Sequence, residues 1–112
     1  MARINAREFE HQIRDLCANS SIVMRVIVLT ESIDHTQLRL FLTDLSFIDV
    51  YYHQISGKTA YTQIRNDERI FGADNKKGWH WHPYEDPQRH DFTNAEIGFA
   101  EFLKSVEENL SR

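Results

Sequence analysis

The chain has 112 residues, 41% of them hydrophobic and 27% charged, with a formal net charge of −4. That is enough to bury a core as one domain and too apolar for a disordered segment, while the acidic balance argues against bulk nucleic-acid binding, which rests on a basic excess. Cys17 is the single cysteine, which excludes an intramolecular disulfide and points to a reducing, cytoplasmic setting.

The opening MARINAREFEHQIRDL is charged throughout and lacks the apolar run of a secretory leader. Within it INAREF predicts a helix start. Asn5 can cap the first turn, Glu8 stands three residues on as a capping box needs, and Ile4 and Phe9 are spaced for a hydrophobic staple. Phe9, Ile13 and Leu16 or Cys17 continue at helical spacing, with His11 read as solvated. Next come SIVMRVIVLT, QLRLFLT, FIDVYYHQI and KTAYTQIR, rich in β-branched and aromatic residues and separated by ESIDHT, DLS and SG. The apolar part of the first, IVMRVIVL, is too short to span a bilayer and carries Arg25, so no membrane segment is expected. His35 falls in the first turn and reads as solvated, and Ser56-Gly57 suits a tight hairpin. RIFGA can add a fifth strand. FTNAEI then repeats the helix-start grammar, with Thr93 as cap, Glu96 three later, Phe92 and Ile97 as staple, and Phe99, Phe102, Leu103, Val106 and Leu110 following. Nothing divides the chain. Residues 1–112 are expected to form a single α+β domain, an antiparallel meander of four to five strands flanked by an N-terminal and a C-terminal helix.

Strand alternation separates two faces. Ile22, Met24, Val26, Val28, Leu38, Leu40, Leu42, Ile48, Val50, Ala60 and Ile64 are expected to form the core face. The other face carries Arg25, Arg39, Asp49, Tyr51, His53, Tyr61, Gln63 and Arg65 among apolar residues. It is either solvated or a polar groove, since Arg forks grip phosphates and aromatic rings stack bases.

The stretch DNKKGWHWHPYEDPQRHDF, residues 74–92, holds three of the six histidines, both tryptophans and both prolines. His80 and His82 would point the same way on a strand, and His90 and Asp74 could complete a metal-ligand set, although no Cys pair or HExxH helix accompanies them. Acid–base work is the second reading. His82 and His90 could act as base and acid in phosphodiester cleavage, with Arg65 or Arg89 steadying the phosphate and no cofactor required. The third reading is structural, with the histidines and tryptophans clamping a loop. Asn75 beside Asp74 most simply makes a turn.

The order FIDVYYHQISGKTAYTQIR, RIFGADN, WHWHP and a late histidine resembles the TumE-type toxin family of prokaryotic toxin–antitoxin modules, over roughly residues 36 to 92. The resemblance marks Tyr51, Tyr52, Gly57, Tyr61, Asp74, Asn75, His82, Pro83 and His90, and implies a cognate antitoxin protein as partner. Trp81-His82 and Arg89-His90 stand where the family tends to show paired histidines, and KKG lengthens the spacer before WHWHP. The combined expectation is a toxin-like component, with a metal-independent ribonuclease as its chemistry. Its catalytic residues are His82, His90, Asp74 and Arg65, and Asn75, Tyr51, His53, Tyr61, Arg39 and Arg89 face the substrate. A metal set of His80, His82 and His90 is one alternative, and a non-enzymatic binding module using the Arg/Tyr face is another. The edges of the sheet also leave room for a homodimer.

Overall fold

A computed structural model describes residues 3–112. In chain order the elements are α1 (Ala6–Ala18), β1 (Val23–Glu31), β2 (His35–Leu42), β3 (Phe47–His53), β4 (Thr59–Arg65), β5 (Glu68–Asp74), β6 (His80–His82), β7 (Asp91–Phe92) and α2 (Phe99–Leu110). The strands form one antiparallel sheet in sequence order, each paired with the next. The α+β reading therefore holds, with two helices and an antiparallel sheet. The strand count does not: there are seven strands rather than four to five. The extra pair, β6 and β7, comes from the histidine-rich stretch. HWH and DF are three and two residues long, too short for alternation to show, and only pairing with β5 makes them strands. Among the described residues, no helix is long and apolar enough to cross a membrane.

The start of α1 is built as its residues predict. The Glu8 N–H donates to Asn5 Oδ1 at 2.8 Å, Asn5 Nδ2 donates back to Glu8 Oε1 at 2.8 Å, and Phe9, Ile13 and Cys17 are buried. The second helix departs from expectation. It begins at Phe99 behind Gly98, with no side-chain cap, and Thr93 is not its cap. Pairing explains the shift. Phe92 lies opposite His80 in the sheet and the Thr93 N–H donates to Trp79 O at 3.0 Å, which holds this segment extended where a helix would have to start. Gly57, with φ +78, supplies the left-handed residue of the β3–β4 hairpin.

Leu38, Leu40, Leu42, Ile48 and Val50 are buried as expected, under Phe99, Phe102 and Val106 of α2 and Phe9 and Ile13 of α1. Two strands depart from the expected core face. In β1, Met24 is 70% exposed and Val28 37%, because β1 is an edge strand broken by register shifts at Val23/Arg25 and Val28/Thr30. In β4 the facing is reversed. Tyr61 lies opposite Val50 and Gln63 opposite Ile48, so these two residues enter the core while Ala60 and Ile64 do not. TAYTQIR offers apolar side chains at both parities. The large Tyr61 ring, packed on Phe99 and Phe102, fills more interior volume than Ala60 could.

Candidate functional site

Alternation puts Trp81 on the core side of β6 and leaves His80 and His82 on the opposite face of the sheet. His80 lies opposite Asp74 and His82 opposite Gly72. The Asp74 carboxylate reaches both rings, with Oδ1 3.3 Å from His80 Nε2 and Oδ2 3.0 Å from His82 Nε2. The other nitrogens also have partners. His80 Nδ1 lies 2.9 Å from Gly78 O, and His82 Nδ1 lies 3.1 Å from Pro87 O. Both rings are only 3% exposed although they face away from the core, because the return of the chain through residues 87–92 covers them. His90 closes the set. Its ring centroid is 4.7 Å from that of His80 and 4.8 Å from that of His82, and it is exposed.

Gly72 fits the close passage of β4 behind the site, where a side chain would crowd the Tyr61 carbonyl but make only ordinary contact with His82. A Cβ at this position would meet Tyr61 O at 3.1 Å, with Arg69 Cδ and His82 Cδ2 both at 3.5 Å. Burial pushes the His82 imidazole below its ordinary pKa, outweighing the Asp74 hydrogen bond that raises it. At Asp74, burial would raise the carboxyl. The Lys76 N–H, the His82 hydrogen bond and the nearby His80 and His82 charges outweigh that and hold it below the usual range.

Of the residues expected to act in catalysis, the fold brings together Asp74, His82 and His90, and His80, expected in the metal-ligand set, joins them. Arg65 is not among them. It pairs with Asp44 at the β2–β3 turn, at the opposite end of the β4–β5 hairpin from Asp74. The arginine beside the cluster is Arg69, whose Nη2 donates to Pro87 O at 3.0 Å, the same oxygen that faces His82 Nδ1. Nothing in the strand pattern of ERIFGAD singled it out, because the register shift between Gln63 and Ile64 is what turns Arg69 toward the histidines.

The expected substrate contacts scatter. Arg39 is held bidentately by Asp49 at 2.8 and 2.9 Å, with its guanidinium 4.1 Å from the Phe47 ring. Arg89 is tied to Asp91 and Glu85. The Asn75 side chain joins two hairpins, accepting from the Thr59 N–H and donating to Gly57 O. Tyr61 is in the core, its hydroxyl donating to Ile97 O at 3.0 Å, which removes it from any substrate face. Tyr51 stays on the outer face, 5.6 Å from Lys58 Nζ. His53 stacks on His35, and with Asp34 these two form a second group whose candidate ligand atoms lie within 4.8 Å of one another. Comparison of the chain with family models, with curated proteins and with solved structures found no match in any of the three.

Proposed function

We propose that the chain is a toxin-like component of a prokaryotic toxin–antitoxin module, with Asp74, His80, His82 and His90 as the reaction centre of a phosphodiester-cleaving enzyme acting on RNA. One observation carries the reading. Three imidazoles and a carboxylate converge on the sheet face that does not serve the core, and two of the rings are buried there. Burying polar, titratable groups costs stability, and such groups gather where chemistry is done. His90, exposed at the mouth of the set, is the member that meets substrate, and the Arg69 guanidinium stands beside His82, on the Pro87 carbonyl that His82 also faces. His82 has partners on both ring nitrogens, so it supports the centre from behind rather than taking a substrate proton directly.

The alternative, a binding module using the Arg/Tyr face, draws less support, because Arg39 and Arg65 already have internal carboxylate partners. The partner this proposal carries is a cognate antitoxin. The test is growth of a bacterial host on induction. The wild type and the His82→Ala/His90→Ala double variant are compared at matched expression and thermal stability. Arrest by the wild type alone is the expected result; arrest by both proteins removes the cluster from the toxic activity, and arrest by neither removes the toxin reading.

A further inference from the structure

We propose that Asp74, His80, His82 and His90 form a binding site for one divalent transition-metal ion of the zinc class. The first argument is a proton count. A neutral imidazole carries one N–H, yet His80 and His82 each face two groups that only accept: a backbone carbonyl at Nδ1 and the Asp74 carboxylate at Nε2. Two neutral rings thus offer two protons to four acceptors. With each Nδ1–H on its carbonyl, both Nε2 lone pairs and the carboxylate oxygens point at one another, an arrangement that calls for positive charge between them. Protonating both rings would supply it, at the cost of two buried imidazolium charges beside Arg69. A metal ion supplies it by direct bonds to lone pairs that are already aimed.

The spacing agrees. Ligand atoms about 2.0–2.1 Å from a tetrahedral zinc stand roughly 3.3 Å from each other. Asp74 Oδ1 stands 3.3 Å from His80 Nε2 and Oδ2 stands 3.0 Å from His82 Nε2, so each ring has one carboxylate oxygen near that spacing. One candidate ligand atom from each of His80, His82 and His90 lies within 4.8 Å of the others. The slack in that set falls to His90, whose exposed loop position lets the ring swing in. Three imidazoles and one carboxylate suit zinc, nickel or copper rather than calcium or magnesium, which favour oxygen. The supporting contacts are also those of a metal centre. The carbonyls of Gly78 and Pro87 fix which nitrogen each ring presents, and Arg69 in turn holds Pro87 O.

The second group, Asp34, His35 and His53, lacks the proton deficit at His53. There Nδ1 accepts from the Ser56 N–H at 3.3 Å, which leaves the ring N–H for Asp34 Oδ2 at 3.8 Å. It therefore provides an internal control. The metal proposal shares its residues with the proposed reaction centre but stands on geometry alone, and its test needs no activity.

Chelator-treated protein, the whole 112-residue chain, is titrated with Co²⁺ and with Zn²⁺ alone. One equivalent of Co²⁺ should give the intense visible bands of a four-coordinate ion, and Zn²⁺ should displace it. His90→Ala is the deciding variant, since His90 is exposed and its loss leaves the core untouched. It should weaken uptake by at least the roughly tenfold that losing even a supporting residue costs, as should Asp74→Asn. His53→Ala should bind as the wild type does. Absence of stoichiometric uptake by the wild type overturns the proposal, as does uptake that survives His90→Ala and Asp74→Asn unchanged or disappears in His53→Ala. Uptake without growth arrest would sink the toxin reading alone, and arrest by a protein that takes up no metal would sink the metal site alone.

Discussion

Asp44 shows how much a single side chain can organise on the opposite margin of the sheet from the histidines. It accepts from the N–H and the hydroxyl of Ser46, at 3.0 and 2.5 Å, and pairs with Arg65. The chain of contacts continues inward. Ser46 Oγ accepts from Gln63 Nε2 at 3.0 Å, and Gln63 Oε1 accepts from the Tyr84 hydroxyl at 2.5 Å. This is why a fully buried glutamine is tolerated in the core, and why the reversed facing of β4 escaped the strand pattern. The partners of Gln63 come from residues 17 and 21 positions away, which no local alternation can reveal. Burial raises the Asp44 carboxyl, but the Ser46 and Arg65 hydrogen bonds outweigh it and hold the group below its ordinary value of 3.8. With the folded pKa depressed, the unfolded chain takes the proton first as pH falls. The stability Asp44 lends is therefore intact above about pH 4 and lost below it. Asp44→Asn should cost about 1–3 kcal/mol at pH 7, because the bonds from Ser46 become neutral ones and Arg65 faces an amide in place of a carboxylate. Urea melts at pH 7 and pH 3 should show the gap between variant and wild type narrowing in acid. A gap that stays constant across that range would mean the carboxylate charge is not what Asp44 contributes.

Among the elements, the two helix starts make a matched pair. INAREF and FTNAEI carry the same signature, yet only the first becomes a cap. Capping grammar is local, and at Thr93 it competes with a sheet pairing that forms only once β6 is in place. Asn5→Ala should cost about 1 kcal/mol, the usual loss of a capping side chain. Thr93→Ala should cost little, since its hydroxyl makes only a 3.4 Å contact with the Ala95 N–H. Thermal melts of the two variants compare them directly. Equal losses would put the helix start back at Thr93. The same contrast governs the candidate site. His82, His90 and Asp74 were legible because their residue types carry chemistry wherever they fall. His80 was legible as well, beside His82 in the metal-ligand set, whereas the approach of Arg69 was not, because it depends on a register shift. Arg39, Arg65 and Arg89 read as phosphate grips from type alone, and each found an internal carboxylate instead. Sequence spacing cannot show that competition, because the acidic partner of Arg65 lies 21 positions away.

Over the whole molecule the sheet is lopsided, and its two edges differ in hazard. β7 is a two-residue edge, whereas β1 runs nine residues with one side unpaired and exposes Met24, Val28 and Leu29. A long apolar edge invites pairing with another chain. Two features oppose this along β1: the register shifts near its two ends, which twist the backbone out of a flat ladder, and Arg25, the one positive charge in VMRVIVLTE. Arg25 lies opposite Phe41 on the face away from the core and appears in no ion pair among the described residues, so removing it breaks no contact of that kind. Arg25→Val should therefore leave the thermal stability close to that of the wild type while turning the strand into an unbroken apolar run, Val23 to Leu29. Light scattering over a concentration series should show the variant associating at concentrations where the wild type does not change. If the wild type already forms a defined dimer and Arg25→Val leaves it unaltered, the edge is an interface rather than a guarded margin, and Arg25 is not its gatekeeper. If the variant stays as dispersed as the wild type, the register shifts alone are sufficient to keep the edge closed.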